Sequence, residues 1–125
     1  MSTTEKPEGA VVWTELQTTP EESSAVEFYS DLFGWAATRI SRANGSDYIQ
    51  LELDGVPFGG IASRPGETSR WLPYFAVSDV DAVCEKAFKV GTVIDPPLNT
   101  VPGRVARIAD PTGAEMFVIG PAKSE

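Results

Sequence analysis

The chain has 125 residues, a formal net charge of −8, one cysteine and no histidine. This length predicts a single domain whose core needs no disulfide. The acidic balance argues against nucleic acid or an anionic membrane surface as a partner. The missing histidine removes the usual zinc, nickel and non-haem iron sites and all histidine-dependent nucleophilic catalysis. The start of the chain has no basic stretch before an apolar run, and no apolar segment approaches the roughly 20 residues that span a bilayer. We therefore expect a cytoplasmic protein.

In the first half, the polar residues 1–9 predict a flexible, frayed tail, and alternation over residues 11–17 predicts a strand. Residues 19–22 resemble a helix start, with a Thr cap, Pro at the first helical position and Glu three residues after the cap. A five-residue apolar stripe then predicts a helix with one buried face, ended by Gly34: Ala25, Phe28, Tyr29, Leu32 and Phe33. Further strands are predicted over 36–41, 48–53 and 58–63, with a turn at Asn44-Gly45 between the first two.

The second half repeats this pattern. A strand is predicted over 71–77, followed by a helix cap in the segment 78–81 and a helix that ends at Gly91. Its apolar stripe lies 55 positions after the first, residue by residue: Val80, Val83, Cys84, Ala87 and Phe88. A short strand over 92–94 is then expected to end at Asp95-Pro96-Pro97. Strands over 104–109 and 115–119 flank a turn at 110–113.

This repeat predicts an α+β fold made of two tandem βαβββ modules. Module 1 covers about residues 10–63 and module 2 about residues 70–120, joined by residues 64–68. A module of about 55 residues cannot bury both faces of its sheet alone. We expect curved mixed sheets around a cavity, with the helices outside, in one domain over residues 1–125.

Several segments resemble the vicinal-oxygen-chelate superfamily, which includes glyoxalases, bleomycin-resistance proteins and extradiol dioxygenases. Residues 25–35, AVEFYSDLFGW, are similar to its first helix, residues 77–82 to the start of its second helix, and residues 109–113 to its Asp-Pro-x-Gly turn. The opening Trp13-x-Glu15-Leu16 is similar to one glyoxalase-like branch. The resemblance covers about residues 11–120 and implies this fold and a homodimer. It does not imply one function, because the superfamily contains several kinds of enzyme as well as drug-sequestering proteins.

Metal-dependent members place four ligands on the first, fourth, fifth and eighth strands. The corresponding residues here are Trp13, Gly59, Leu72 and Phe117. Shifting the count by one residue gives no competent set either: Val12, Thr14, Phe58, Gly60, Trp71 and Met116. A shift of two brings in Glu15 or Glu115, but two carboxylates do not make a four-ligand site. The resemblance therefore implies a member without metal ligands and without a cofactor.

Strand alternation predicts which side chains face the cavity. The candidate ligand-binding residues are Trp13, Glu15, Leu72, Tyr74, Glu115 and Phe117, with Gln17 on the same face. Aromatic walls with a few polar groups suit a flat organic molecule. Alternatively, the three apolar members of this set simply fill the interior, Glu15 is a structural carboxylate paired with Tyr74, Arg104 or Arg107, and Glu115 lies in solvent.

The leading functional hypothesis is a metal-independent small-molecule-binding protein of the glyoxalase/bleomycin-resistance type. It would bind an aromatic or hydrophobic metabolite or antibiotic between the two modules rather than act as an enzyme. One alternative is a metal-independent isomerase, lyase or cyclase that uses Glu15 as general acid/base. Another is a protein-interaction domain with a filled interior. The sequence leaves open the ligand, the pathway, and whether modules pair within one chain or across a dimer.

Overall fold

The computed structural model describes residues 6–19, 22–41, 47–63 and 68–124. Its strands and helices follow the order β-α-β-β-β twice, which confirms the α+β class and the two βαβββ modules. The first module contains β1 (Val11–Thr18), α1 (Glu22–Phe33), β2 (Ala36–Ser41), β3 (Asp47–Leu53) and β4 (Val56–Ser63). The second contains β5 (Arg70–Ala76), α2 (Val80–Val90), β6 (Thr92–Asn99), β7 (Arg104–Ala109) and β8 (Glu115–Gly120).

The chain forms two compact units. The first unit is residues 13–72, and the second is residues 73–125 with the segment that precedes Trp13. Within the first unit the strand order is β2-β3-β4-β1, with β1 and β4 parallel and the other pairs antiparallel. Within the second unit the order is β5-β8-β7-β6, with β5 and β8 parallel and the other pairs antiparallel. The same topology in both units explains the 55-residue repeat.

The core of the first unit lies between its sheet and α1. Its buried centre consists of Leu16, Ile49, Leu51 and Ile61. Ala25, Val26 and Tyr29 of α1 pack against this centre, as do Trp35, Phe58 and Trp71. The Tyr29 ring centroid lies 5.3 Å from those of Trp35 and Trp71, and its hydroxyl accepts a hydrogen bond from Trp71 Nε1 at 3.1 Å. Tyr29 therefore joins the helix to two other segments of the unit.

The core of the second unit is smaller and entirely aliphatic apart from its thiol. Val80 and Cys84 of α2 are buried against Ala106 and Val118 of the sheet. The pKa of the Cys84 thiol is raised, chiefly because burial disfavours the thiolate.

Both helices bury less than the sequence predicted. Phe28 is 58% exposed, Leu32 and Phe33 of α1 are also more than half exposed, and Phe88 of α2 is 76% exposed. The prediction of a fully buried five-residue stripe is wrong at these four positions. A helix that lies on a sheet presents only a narrow stripe to it, so residues at the stripe's edge project into solvent. Tyr29 and Cys84 lie at the centre of the stripe and pack inward.

The helix ends agree with the sequence in part. α1 stops before Gly34, whose φ is 75° and whose N–H donates to Ser30 O at 2.8 Å, as predicted. α2 is capped within the predicted segment 78–81, because the Asp79 carboxylate accepts from the Ala82 N–H at 3.1 Å. The Pro20-Glu21 helix start, the Asn44-Gly45 turn and most of the connector at 64–68 lie outside the described residues.

Strand β6 runs through its two prolines, so the prediction that Asp95-Pro96-Pro97 ends it is wrong. β6 is at the outer end of the strand order of its unit, and its pairing with β7 shifts register on both sides of Asp95. An outer strand tolerates proline because the N–H that proline lacks is not needed for a second neighbour.

The segment before β1 is held in place from residue 8 onward. Gly9 N donates to Ala76 O at 2.7 Å, Ala76 N donates to Ala10 O at 2.8 Å, and the Glu8 carboxylate accepts from Ser78 N at 2.9 Å. The predicted frayed tail therefore does not extend to Glu8 and Gly9. Neither helix in the described part of the chain is long and apolar enough to cross a membrane.

An ion-pair cluster fixes the first turn of α2 to β7. Arg104 donates to both carboxylate oxygens of Asp81, at 2.7 and 3.1 Å, and Lys123 Nζ lies 3.3 Å from the same carboxylate. The hydrogen bonds from Arg104 lower the pKa of Asp81 to about 2.

A side-chain-stabilised turn precedes β8. Asp110 Oδ1 accepts from Thr112 N, Thr112 Oγ1 and Ala114 N at 2.8, 2.6 and 3.1 Å. These bonds lower the pKa of Asp110, with the Thr112 hydroxyl contributing most. Gly113 supplies the positive φ, 96°, that closes the turn predicted at 110–113.

Candidate functional site

The side chains of β1 alternate between the two faces of the first unit's sheet. Leu16 packs in the core beneath α1, so alternation places Trp13, Glu15 and Gln17 on the opposite face. We call the sheet face away from α1 the distal face of the first unit.

Glu15 and Gln17 form a buried polar pair on this face. Glu15 is 4% exposed and Gln17 1%, and Gln17 Nε2 donates to Glu15 Oε2 at 3.0 Å. With Thr18, they are the buried polar side chains of the described ranges, and all three lie on β1. A buried carboxylate costs several kcal/mol unless donors surround it. The hydrogen bond from Gln17 therefore helps to stabilise the Glu15 carboxylate in its buried position.

Trp13 is joined to a residue that the sequence analysis did not identify. Its indole Nε1 donates to the hydroxyl of Tyr48 on β3 at 2.9 Å, and both side chains are half-buried. Tyr48 precedes Ile49, which packs in the core beneath α1, so Tyr48 lies on the distal face. Its alternation with Gln50 and Glu52 was the signal in the sequence that could have identified it.

On β2 and β3 the distal face carries hydrogen-bonded polar side chains next to Ala36 and Ile40, whose register partners are Glu52 and Tyr48. Gln50 Nε2 donates to Glu52 Oε2 at 3.1 Å, and Thr38 Oγ1 donates to the same oxygen at 3.4 Å. The aromatic pair and the buried carboxylate thus lie beside a surface of mixed polar and apolar side chains.

The second unit has an aromatic stack on its face away from α2. Val118 packs beneath α2, so its neighbour Phe117 faces the other way. Phe117 is paired in register with Tyr74 on β5, and the two rings stack with centroids 4.4 Å apart and planes 14° apart. Arg107 on β7 is the register partner of Phe117 on its other side.

Arg107 carries a small charge network next to this stack. Its Nε lies 2.9 Å from Asp95 Oδ2 and its Nη1 lies 3.6 Å from Glu115 Oε1. The Glu115 side chain is 22% exposed, so it is an ion-pair partner rather than a free surface carboxylate. Arg104, another partner considered for Glu15, contacts Asp81 and Asn99.

The structure corrects one of the four positions where family members carry metal ligands. Gly60, not Gly59, is the register partner of Glu15 in the parallel β1–β4 pair and so shares its face. A Cβ added at Gly60 would collide with the Tyr48 ring and hydroxyl. Neither Gly60 nor Trp13, Leu72 or Phe117 offers a ligand atom. Within the described ranges, no group of three or more His, Cys, Asp or Glu could hold a metal ion. The residues present do not fit a metal ion of the family type.

The six predicted site residues are divided between the units. Trp13, Glu15 and the buried Leu72 belong to the first unit. Tyr74, Glu115 and Phe117 belong to the second. A separate cavity of about 320 Å³ in the first unit, lined by Thr18, Phe28, Tyr29 and Ser69 among others, contains none of the six.

Comparison with known proteins shows relatives of two kinds. The chain is 31% identical over 128 aligned positions to the anthracycline biosynthesis protein DauV of Streptomyces sp. strain C5, with 88% of this chain and 46% of that protein covered. It is 36% identical over 115 positions to the glyoxylase-like protein CFP32 of Mycobacterium tuberculosis, with 86% of this chain and 44% of that protein covered. The chain thus spans about half the length of these curated relatives. No family model matches it.

Solved structures of low identity share the fold. Methylmalonyl-CoA epimerase from M. tuberculosis superposes with a TM-score of 0.64 at 16% identity, covering 92% of this chain and 89% of that one. A glyoxalase/bleomycin resistance protein/dioxygenase superfamily member from Vibrio splendidus gives 0.60 at 15% identity, covering 90% and 98%.

The paired βαβββ units and these structural likenesses give the chain the fold of the glyoxalase/bleomycin-resistance/dioxygenase proteins. This is the fold of the vicinal-oxygen-chelate superfamily.

Proposed function

We propose that this protein binds a planar aromatic or hydrophobic small molecule without a metal ion. The observation that carries the proposal is the juxtaposition on β1 of a half-buried indole and a buried carboxylate. Trp13 and Glu15 are two residues apart on the same face, which separates their Cα atoms by about 7 Å. An aromatic ligand that stacks on the indole would bring a hydroxyl or amine on its edge within reach of the carboxylate.

The comparisons support this ligand class in one respect. DauV is named as an anthracycline biosynthesis protein, and anthracyclines are planar polycyclic hydroxyquinones. The donor set supports the metal-free part of the proposal, because the positions at which family members hold a metal carry indole, glycine, leucine and phenylalanine here. Leu72, in the same unit as Trp13 and Glu15, is proposed as a further ligand-contacting residue. Tyr74, Phe117 and Glu115 remain candidate contacts on the second unit, where Glu115 is held by Arg107.

The test is a titration of the full chain with alizarin, a planar dihydroxyanthraquinone, in buffer with and without EDTA. Binding measured by calorimetry should be the same in both buffers. Trp13→Ala and Glu15→Gln should each weaken binding about tenfold or more, because each removes one of the two contacts. Phe88→Leu, on the exposed side of α2, is the control and should bind as the wild type. Binding that EDTA abolishes, or a titration without heat or spectral change, would contradict the proposal.

A second candidate is a metal-independent isomerase that uses Glu15 to move a proton. It is favoured by the burial of Glu15 and by the fixed direction of its carboxylate, which Gln17 holds. A positioned carboxylate within about 3 Å of a substrate proton contributes about 10²–10⁴-fold. The discriminating assay is deuterium uptake from solvent into methylmalonyl-CoA, followed by NMR. Uptake that is lost in Glu15→Gln but kept in Glu115→Gln would favour the isomerase, and no uptake would favour the binding protein.

For its assembly we propose a homodimer, since members of this superfamily are commonly dimers. The exposed apolar residues Phe28, Leu32 and Phe33 of α1 supply apolar surface that a second copy would cover. Sedimentation should give a dimer for the wild type and a monomer for Leu32→Glu. A wild-type monomer at micromolar concentration would contradict the dimer.

A further inference from the structure

Tyr48 crosses a neighbouring strand to reach Trp13. Tyr48 is on β3, Trp13 is on β1, and β4 lies between these strands in the sheet. The ring passes over Gly60 of β4, because a Cβ built there would overlap the Tyr48 hydroxyl and the adjoining ring carbons. The Tyr48 hydroxyl then accepts the hydrogen bond from Trp13 Nε1 at 2.9 Å.

Gly60 makes this arrangement possible by providing space. Its backbone does not have the positive φ that favours glycine, so other residues are excluded at this position by the Tyr48 ring and not by conformation. Because the ring rests on the backbone of β4 and its hydroxyl bonds to the indole, both side chains lose rotational freedom. The indole and the phenol are thereby held next to each other by the hydrogen bond and present one fixed surface.

This surface lies beside the polar pair of β1. Gly60 is the register partner of Glu15 on β1 and of Gln50 on β3. Tyr48 therefore lies over the strand position directly next to the buried carboxylate. A planar ligand stacked on the two rings would have its edge directed toward oxygen and amide groups.

We infer that Tyr48 and Trp13 form a single fixed platform on which the ligand stacks, and that Gly60 determines ligand fit by leaving room for the Tyr48 ring. This inference rests on the proposed function and extends it to Tyr48 and Gly60. The ligand class it selects is a planar fused aromatic with a hydroxyl or amino group on its edge. A rigid surface loses less conformational entropy on binding than two mobile side chains.

The first measurement tests the hydrogen bond between Trp13 and Tyr48 in the absence of any ligand. In a ¹⁵N-labelled sample, the Trp13 indole N–H resonance, assigned with Trp13→Phe, should shift and exchange faster with solvent in Tyr48→Phe and in Gly60→Ala. The Trp35 and Trp71 indole signals serve as internal controls and should stay in place, which also shows that the fold is intact. An unchanged Trp13 signal in both variants would overturn the platform.

The second measurement is alizarin binding by the same variants. Tyr48→Ala should bind about tenfold more weakly or worse, and Tyr48→Phe, which keeps the ring but frees it, about threefold more weakly. Gly60→Ala should match Tyr48→Ala, and adding it to Tyr48→Ala should cause no further loss, because the obstruction is then gone. Phe88→Leu is again the control.

The outcomes separate the two proposals. If the wild type binds alizarin and Tyr48→Ala binds equally well, the platform is wrong while the binding function stands. If Gly60→Ala weakens binding further in the Tyr48→Ala background, Gly60 acts otherwise than by making room for Tyr48, and the inference fails. If the wild type does not bind, the proposed function fails in this ligand class, and the platform's role in binding fails with it.

Discussion

The hydroxyl of Tyr29 offers a sharp test of what holds α1 to its sheet. Tyr29→Phe removes the acceptor of the 3.1 Å hydrogen bond from Trp71 Nε1. It keeps the ring, whose centroid lies 5.3 Å from those of both Trp35 and Trp71, so the substitution isolates the hydrogen bond. Since the bond is only partly buried, the free energy of unfolding should fall by about 1 kcal/mol. For a chain of this length, that corresponds to a melting temperature lower by about 4 °C.

Removing the Tyr29 ring as well should lower the free energy of unfolding much further. Tyr29→Ala deletes the stacking contact with Trp35 and the edge contact with Trp71 and leaves a gap beneath the helix, so a loss of about 3–5 kcal/mol is expected. Urea denaturation followed by far-UV circular dichroism measures both changes. Phe88→Leu is the control, because Phe88 is an aromatic residue of the other helix and is 76% exposed, and it should change stability by less than about 0.5 kcal/mol. Equal stability of Tyr29→Phe and the wild type would refute the assigned hydrogen bond, and a loss below about 1 kcal/mol for Tyr29→Ala would refute the packing.

Three further predictions concern stability elsewhere. Asp81→Asn should lower the melting temperature near neutral pH and flatten its pH dependence between about 4 and about 2. Arg104 lowers the pKa of Asp81 to about 2, so the stabilisation is complete above the usual aspartate pKa and is lost as pH falls through the folded value; an unchanged pH profile would contradict the ion pair. Leu51→Ala should lower the free energy of unfolding, measured by urea denaturation, by about 2–5 kcal/mol, because Leu51 is 1% exposed in the core of the first unit. A decrease of less than about 1 kcal/mol would contradict tight packing there. Asp110→Ala should lower the melting temperature measured by calorimetry, because Asp110 Oδ1 accepts three hydrogen bonds in its turn. Asp110→Asn keeps an acceptor oxygen and should recover part of the loss. Equal melting temperatures for the two variants would argue against a role for that oxygen.

Local signals in the sequence were sufficient for most of the fold. α1 ends before Gly34, and the Asp110 turn connects β7 to β8, both as predicted. Each of these features depends only on the backbone conformation of a few neighbouring residues. Alternation predicted which face of β1 packs beneath α1, because a strand with one buried face has a strict period of two. The exposure of Phe28 and Phe88 was missed, since periodicity shows that a helix has an apolar side but not how wide a stripe the sheet accepts.

The candidate site was less predictable because it depends on cross-strand register. Counting along the chain gave Gly59 as the fourth-strand position and Gly60 as its one-residue alternative, and the strand pairing puts Gly60 on the face of Glu15. An error of one residue reverses the face of a side chain. The sequence did not identify Tyr48 for a related reason. Its importance comes from the strand between it and Trp13, and nothing in the residues around position 48 shows that a glycine lies beneath its ring. The Glu15–Gln17 pair, by contrast, follows from neighbours on one strand.

The lone cysteine gives the second unit a natural kinetic probe. Cys84 is 7% exposed in the α2 core, and burial raises its pKa, so the folded protein protects it from thiol reagents in two ways. Any reaction with a colourless aromatic disulfide must then wait for α2 to lift from its sheet. The rate of colour development at high reagent concentration would equal the opening rate of this helix, without a label or an engineered residue. Measured with and without a bound aromatic compound, the same rate would show whether a ligand slows the movement of α2.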